Sequence, residues 1–179
     1  MLYRLITVLI LIGLFSPAAL ADEKKIGHIG AASFATVISN NIAGVDDDEF
    51  GGLAIYGGGA FNDNFGMRGL LGFQSHQDVD IDVRAMEVTI QAGTGLATEG
   101  FKAYGSAGFF SETWSSSGLS DESFTGGLFG GGIGYNWAPV SLEFWVHIRS
   151  TSDYEDALGP NSGVSLSAAS AGLGLSGRF

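Results

Sequence analysis

Nucleophiles, bases and metal ligands are few in this chain. Its imidazoles are His28, His76 and His147, and it has no cysteine, so thiolate catalysis, thiolate metal sites and disulfides are excluded. A serine nucleophile needs its base within hydrogen-bond reach. His147-Ile148-Arg149-Ser150 offers such a pair, but extended-chain side chains alternate, so residues three apart point to opposite faces. Neither G-x-S-x-G nor H-E-x-x-H occurs. The glycine runs at 126–127 and 130–132 could suggest a phosphate loop, yet no G-x-x-x-x-G-K-[ST] follows them. No catalytic residue and no cofactor are therefore expected.

The carboxylates are more informative, because they are clustered. Asp46-Asp47-Asp48-Glu49, then Asp78, Asp80 and Asp82, then Glu112, Asp121 and Glu122, then Asp153, Glu155 and Asp156 hold thirteen of the 19 acidic residues. Two accounts stand for such clusters. One is a solvated, mutually repelling surface. The other is a surface that attracts divalent cations or a basic partner. Asp78, Asp80 and Asp82 are the weak metal candidate, since they share a strand face by parity. They miss the EF-hand pattern, with Val83 where the loop needs glycine and Thr89 where it needs glutamate. The net charge of −11 argues against a nucleic-acid partner.

These clusters need elements to hold them. At 140–149, Val140, Leu142, Phe144, Val146 and Ile148 alternate with Ser141, Glu143, Trp145, His147 and Arg149, which is a strand with one apolar and one largely polar face. Similar alternation predicts eight strands near 26–37, 50–61, 65–76, 82–93, 101–112, 123–136, 140–151 and 164–179. Their connections alternate between short (62–64, 137–139) or intermediate (94–100) and longer polar (38–49, 113–122, 152–163). The fold class expected is all-β, a closed antiparallel eight-stranded up-and-down transmembrane β-barrel, with short turns on the periplasmic side and acidic loops outside. Phe61, Phe65, Tyr135 and Trp137 beside the short turns would form an aromatic girdle. Arg68, Glu87, Lys102, Glu143 and Arg178 fall on lumen-facing parity near the periplasmic half. They should pair with one another, Glu143 with Arg178 in particular.

Residues 1–21 have a basic start at Arg4, an apolar run from Leu5 to Leu14 and the small-residue tripeptide Ala19-Leu20-Ala21. That is the pattern of a secretory signal cleaved near Ala21, leaving 22–179 as one domain. The last residues, Ala171-Gly-Leu173-Gly-Leu175-Ser-Gly177-Arg-Phe179, step apolar side chains by two toward a terminal aromatic. This resembles the closing strand of outer-membrane barrels. The whole of 22–179 resembles the small OmpA-like and OmpX/Ail-like barrels, including Gly132-Ile-Gly-Tyr-Asn-Trp-Ala-Pro-Val-Ser-Leu-Glu-Phe144.

The resemblance implies a Gram-negative outer-membrane location, with membrane lipid and lipopolysaccharide as surroundings. It makes Phe179 an assembly signal for the barrel-assembly machinery. It also implies a non-enzymatic role in envelope integrity or cell-surface interaction, carried by acidic loops such as 46–49 and 153–156. A narrow porin-like channel is one alternative. A lipid-A-modifying enzyme is another, although the deacylase barrels that this option invokes carry a His-x-Ser pair, not the spacing of His147 and Ser150.

Overall fold

The computed structural model describes residues 25–42, 44–118, 120–159 and 163–179, so the expected signal segment at 1–21 lies outside the described residues. Alternating polarity and sparse proline leave the rest of the chain extended. The strands are β1 (Gly27–Asn40), β2 (Asp48–Ala60), β3 (Phe65–His76), β4 (Ile81–Thr94), β5 (Gly100–Ser116), β6 (Glu122–Asn136), β7 (Val140–Arg149) and β8 (Leu166–Arg178). Each pairs antiparallel with the next, and β1 pairs with β8 through a ladder running from His28↔Arg178 to Asn40↔Leu166. Closure leaves no unpaired strand edge, and this is the condition for a sheet to face hydrocarbon.

Alternation sorts every strand into an inner and an outer set. Along β7, Ser141, Glu143, Trp145, His147 and Arg149 are buried, while Leu142, Phe144, Val146 and Ile148 are exposed. The other strands continue this outer apolar belt, with Leu53 and Ile55, Leu71 and Phe73, Val88 and Ile90, and Leu173 and Leu175 all exposed. An apolar surface of this extent suits a bilayer and not water. No helix among the described residues is long and apolar enough to cross a membrane.

The connections 61–64, 95–99 and 137–139 share one end of the barrel with the start of β1 and the end of β8, here the turn end. The longer connections sit at the other, loop end. Near this end β1, β2, β4, β5 and β6 run further than the expected boundaries, β5 as far as Ser116, whereas β3 ends at His76 as expected and β7 and β8 stop two residues short of theirs. The segment after β7 also departs from expectation. It contains a helix, α1 (Ser152–Ala157), with Asp153 and Glu155 in its first turn, Tyr154 buried, and Gly159 at φ 95° beyond it. First-turn carboxylates suit the positive end of a helix, and a left-handed glycine suits its exit.

Inside, large side chains face glycines on neighbouring strands. The ring of Trp145 fills the space over Gly172, and that of Tyr56 the space over Gly174. The run Gly172-Leu173-Gly174-Leu175-Ser176-Gly177 has the spelling of a dinucleotide fingerprint, but it lies within β8 with no helix after it. It is therefore a packing surface and not a phosphate cradle. Toward the loop end the lumen is an aromatic core in which Phe50, Phe110, Phe124 and Tyr154 pack with Ile38, Val83 and Leu128.

Candidate functional site

Between that core and the turn end, the lumen holds a continuous chain of charged hydrogen bonds. Glu143 on β7 accepts from Arg68 Nη1 on β3 at 2.8 Å and pairs with Lys102 on β5. Arg68 also donates to Tyr104 Oη at 3.1 Å and lies over the Trp145 ring, 4.2 Å from its centroid. Its Nη2 reaches His147 Nε2 at 3.3 Å. The ring's other nitrogen, Nδ1, meets Glu87 Oε2 at 3.0 Å. A guanidinium can only donate and a carboxylate only accept, so these partners select the tautomer with hydrogen on Nδ1 and a bare Nε2.

Glu87 then accepts from Arg149 Nη2 at 2.8 Å and from the Ser170 hydroxyl at 3.0 Å. Arg149 Nη1 donates to Glu112 at 2.7 Å, and Glu112 accepts in turn from Tyr154 Oη and Trp114 Nε1. The chain thus crosses from the turn half into the aromatic core. Arg68, Lys102 and Arg149 balance Glu87, Glu112 and Glu143, all of them buried. Three charges of each sign with short, directed bonds are how a barrel of this width fills its interior.

One part of this network has the wiring of a catalytic triad. Ser106 Oγ is 3.1 Å from His147 Nε2, and Glu87 holds the opposite nitrogen. All three residues are more than nine-tenths buried, however, and Nε2 also receives Arg68 while Glu87 is shared with Arg149. A serine so placed is a member of a filled core and has no room for a substrate carbonyl. His147 itself is committed to Glu87, Arg68 and Ser106, which leaves it no part in the pairing with Ser150 that the sequence had brought up.

The turn end is sealed by backbone. Gly95 and Ala97 of the 95–99 turn are buried beneath the lumen, latched from three sides. Asp63 accepts the Thr98 hydroxyl at 2.8 Å and the amides of Gly95, Ala97 and Thr98. Asn136 donates to the Gly95 and Thr98 carbonyls, and Arg178 to those of Ala97 and Trp137. The Thr98 hydroxyl above all, then the amides of this turn, hold the Asp63 carboxyl below the ordinary carboxylate range.

The expected lumen charges therefore meet, with three corrections. Arg68, Lys102 and Glu143 form one cluster, but Glu87 lies midway along β4 and pairs with Arg149 and His147. Glu143 and Arg178 do not pair. Both face inward on adjacent strands, yet Glu143 aligns with Gly174, which leaves Arg178 four residues, about 13 Å, further toward the turn end. Glu112 is not at the rim, since its even parity on β5 turns it inward to Arg149. Its parity with Lys102 was the available signal.

At the loop end, Asp46, Asp47, Asp48 and Glu49 are exposed, as are Asp121, Glu122 and Asp156. Asp78, Asp80 and Asp82 do not share a strand face: Asp78 and Asp80 precede β4, Asp80 accepts from Ser117, and Asp82 accepts from Ser75. Among the described residues, no three potential metal ligands converge. Asp153 and Glu155 are half-buried and partly structural. Asp153 accepts the Thr125 amide and hydroxyl, which lower its pKa, the amide more, and Glu155 accepts the Leu166 amide. Arg84, exposed on the outer face of β4, is the one lysine or arginine among the described residues near this rim.

The family described as outer membrane protein beta-barrel domain matches residues 7–179. Among solved structures, the chain is similar to Ail, the attachment invasion locus protein of Yersinia pestis, at 18% identity over 87% of this chain and 99% of that one, with a TM-score of 0.57. Neisserial surface protein A is similar at 14% identity over 86% and 97%, with a TM-score of 0.64. The N-terminal barrel domain of Pseudomonas aeruginosa OprF is similar at 16% over 85% and 97%, with a TM-score of 0.53. Among curated proteins, none matches the chain. At these identities the structural likeness speaks for the fold.

Proposed function

Because this chain belongs to the outer membrane protein β-barrel domain family, we propose that it is a non-enzymatic, non-conducting barrel acting in envelope integrity or cell-surface contact through its acidic loop-end rim. The turn end then faces the periplasm and the rim faces outward, as short turns and long loops do in such barrels. The observation that carries this reading is the division of charge. Inside, six charged side chains neutralise one another in a filled lumen, whereas at the loop end the carboxylates of 46–49 stay exposed, Asp48 with His76 Nε2 at 3.3 Å, and Arg84 is the one lysine or arginine among the described residues near this rim.

A field of one sign at a membrane surface concentrates counter-ions. Divalent cations held there can be shared with lipopolysaccharide phosphates, and a basic surface partner would be drawn by the same field. A structure of Ail contains the heparin analogue sucrose octasulfate. A polyanion of that kind suits this rim poorly, so that ligand is not carried over. Phe179 fits the same reading as an assembly signal: it ends the closing strand, is 69% exposed, and exchanges backbone hydrogen bonds with Gly27.

The test is binding of the membrane-extracted protein to lipopolysaccharide, with magnesium or with a chelator. It is repeated with Asp46, Asp47 and Asp48 changed to Asn and Glu49 to Gln. Magnesium-dependent binding that falls in the variant supports the reading, and binding unchanged by both removes the rim from it.

A further inference from the structure

Among the described residues, the buried lumen charges balance only if Arg178 is left out. With it, four cations (Arg68, Lys102, Arg149 and Arg178) face three carboxylates (Glu87, Glu112 and Glu143). The hydrogen bonds of Arg178 go to backbone carbonyls, those of Ala97 at 2.8 Å and Trp137 at 2.9 Å, with longer ones to Lys25 and Thr98. Carbonyls solvate a guanidinium without cancelling its charge. Glu99, in the turn below, is the carboxylate whose charge reaches Arg178, but it is exposed to solvent, which screens it, and no hydrogen bond joins the two. Both oxygens of Glu143 are already taken, by Arg68 and Lys102.

Next to this surplus charge lies a cavity of about 20 Å³, bordered by His28, Gln91, Lys102, Asn136, Ser141 and Arg178. Three of those side chains carry a buried polar atom with no hydrogen-bond partner: Gln91 Nε2, Ser141 Oγ and His28 Nε2. Gln91 and Ser141 are each more than nine-tenths buried. An amide nitrogen only donates, a hydroxyl and an imidazole N–H can donate, and the Lys102 ammonium has hydrogens beyond the one directed at Glu143. The Asn136 amide nitrogen is engaged with the carbonyls of Gly95 and Thr98.

We propose that this cavity is a binding site for one small monovalent inorganic anion of halide size. The donors call for an acceptor, and the neighbouring Lys102 and Arg178 oppose a cation. A void of this volume exceeds the roughly 10–15 Å³ that a single water-sized sphere requires, yet it is too small for a phosphate or a carboxylate-bearing molecule. Water would satisfy the donors but leave the positive charge, whereas an anion answers both. The site is independent of the rim and of what the rim binds.

The test uses the full protein extracted from membranes in detergent. Chlorine-35 line broadening is measured and competed with bromide, then repeated with Gln91→Leu, whose folding is checked by its heat-dependent shift in gel mobility. The expected result is saturable broadening above a detergent blank, with affinity about tenfold weaker in the variant, the scale of one lost hydrogen bond to a charged group. Should Gln91→Leu fail to fold, bromide anomalous diffraction of the parent decides. A peak within hydrogen-bond distance of Gln91 and Lys102 supports the site. Broadening no greater than the blank, equal affinity in a folded variant, or a water without anomalous signal at that position overturns it.

Discussion

At the scale of single residues, Glu143 is the acceptor on which the turn half of the lumen depends. Its carboxylate answers two buried cations, Arg68 and Lys102, and neither has another carboxylate within hydrogen-bond distance. Removing one member of a buried pair leaves the other charged and desolvated, which costs about 3–5 kcal/mol. Glu143→Ala should therefore lower stability by about that amount, read as a shift of the urea midpoint in lipid vesicles. Arg68→Ala, which leaves Glu143 still paired with Lys102, should cost less, and the reverse order would contradict this account of the cluster. Ser106 gives a contrasting expectation. Its bond to His147 resembles an activated nucleophile, but the filled lumen denies a reagent entry, so the folded protein should resist labelling by a fluorophosphonate. Stoichiometric labelling at Ser106 would reopen the enzymatic reading.

Among the elements, the 95–99 turn illustrates how a connection becomes part of a seal. Asp63 gathers four hydrogen bonds from it, and its lowered pKa is the thermodynamic mark of those bonds. A carboxyl whose folded pKa is depressed contributes stability above its unfolded value, near 3.8, and loses it as pH falls through the folded one. Amide exchange at Gly95, Ala97 and Thr98 should thus accelerate below about pH 4, and Asp63→Asn should show the faster exchange already at neutral pH without that acid step. The strands themselves were legible because alternation has a period of two and each is long enough to display it, as in Val140 to Arg149. The helix at 152–157 was not, since six residues contain fewer than two helical turns and its anchor, Tyr154, is recognisable only once Glu112 is known to lie beneath it. Parity alone told which way Glu143 and Arg178 point. Their partners depended on strand stagger around the barrel, which no local pattern encodes, and so the pairing expected between them gave way to Arg68 and Lys102 on strands across the lumen.

Over the whole molecule, these layers make conduction a question of how many interactions must fail together. A path along the axis meets the 95–99 turn, then the Arg68–Glu143–Lys102 cluster, then Glu87, Arg149 and Glu112, and finally the aromatic core around Tyr154. Opening even the two ionic layers at once would cost about 6–10 kcal/mol if each behaves as a typical buried pair. The open state would then be populated at only about 10⁻⁴ to 10⁻⁷. The intact protein in a planar bilayer should accordingly show no sustained current steps, whatever the salt. Changing Glu87 and Arg149 together to alanine removes both members of that pair, and it leaves the buried Glu112 without its cation, held by the Tyr154 hydroxyl and the Trp114 indole. Water can enter the space so vacated, and brief, small openings are expected from that variant alone. Steady conductance in the parent would mean that the layers open in concert at low cost, and the assignment of its work to the rim would fall with that result.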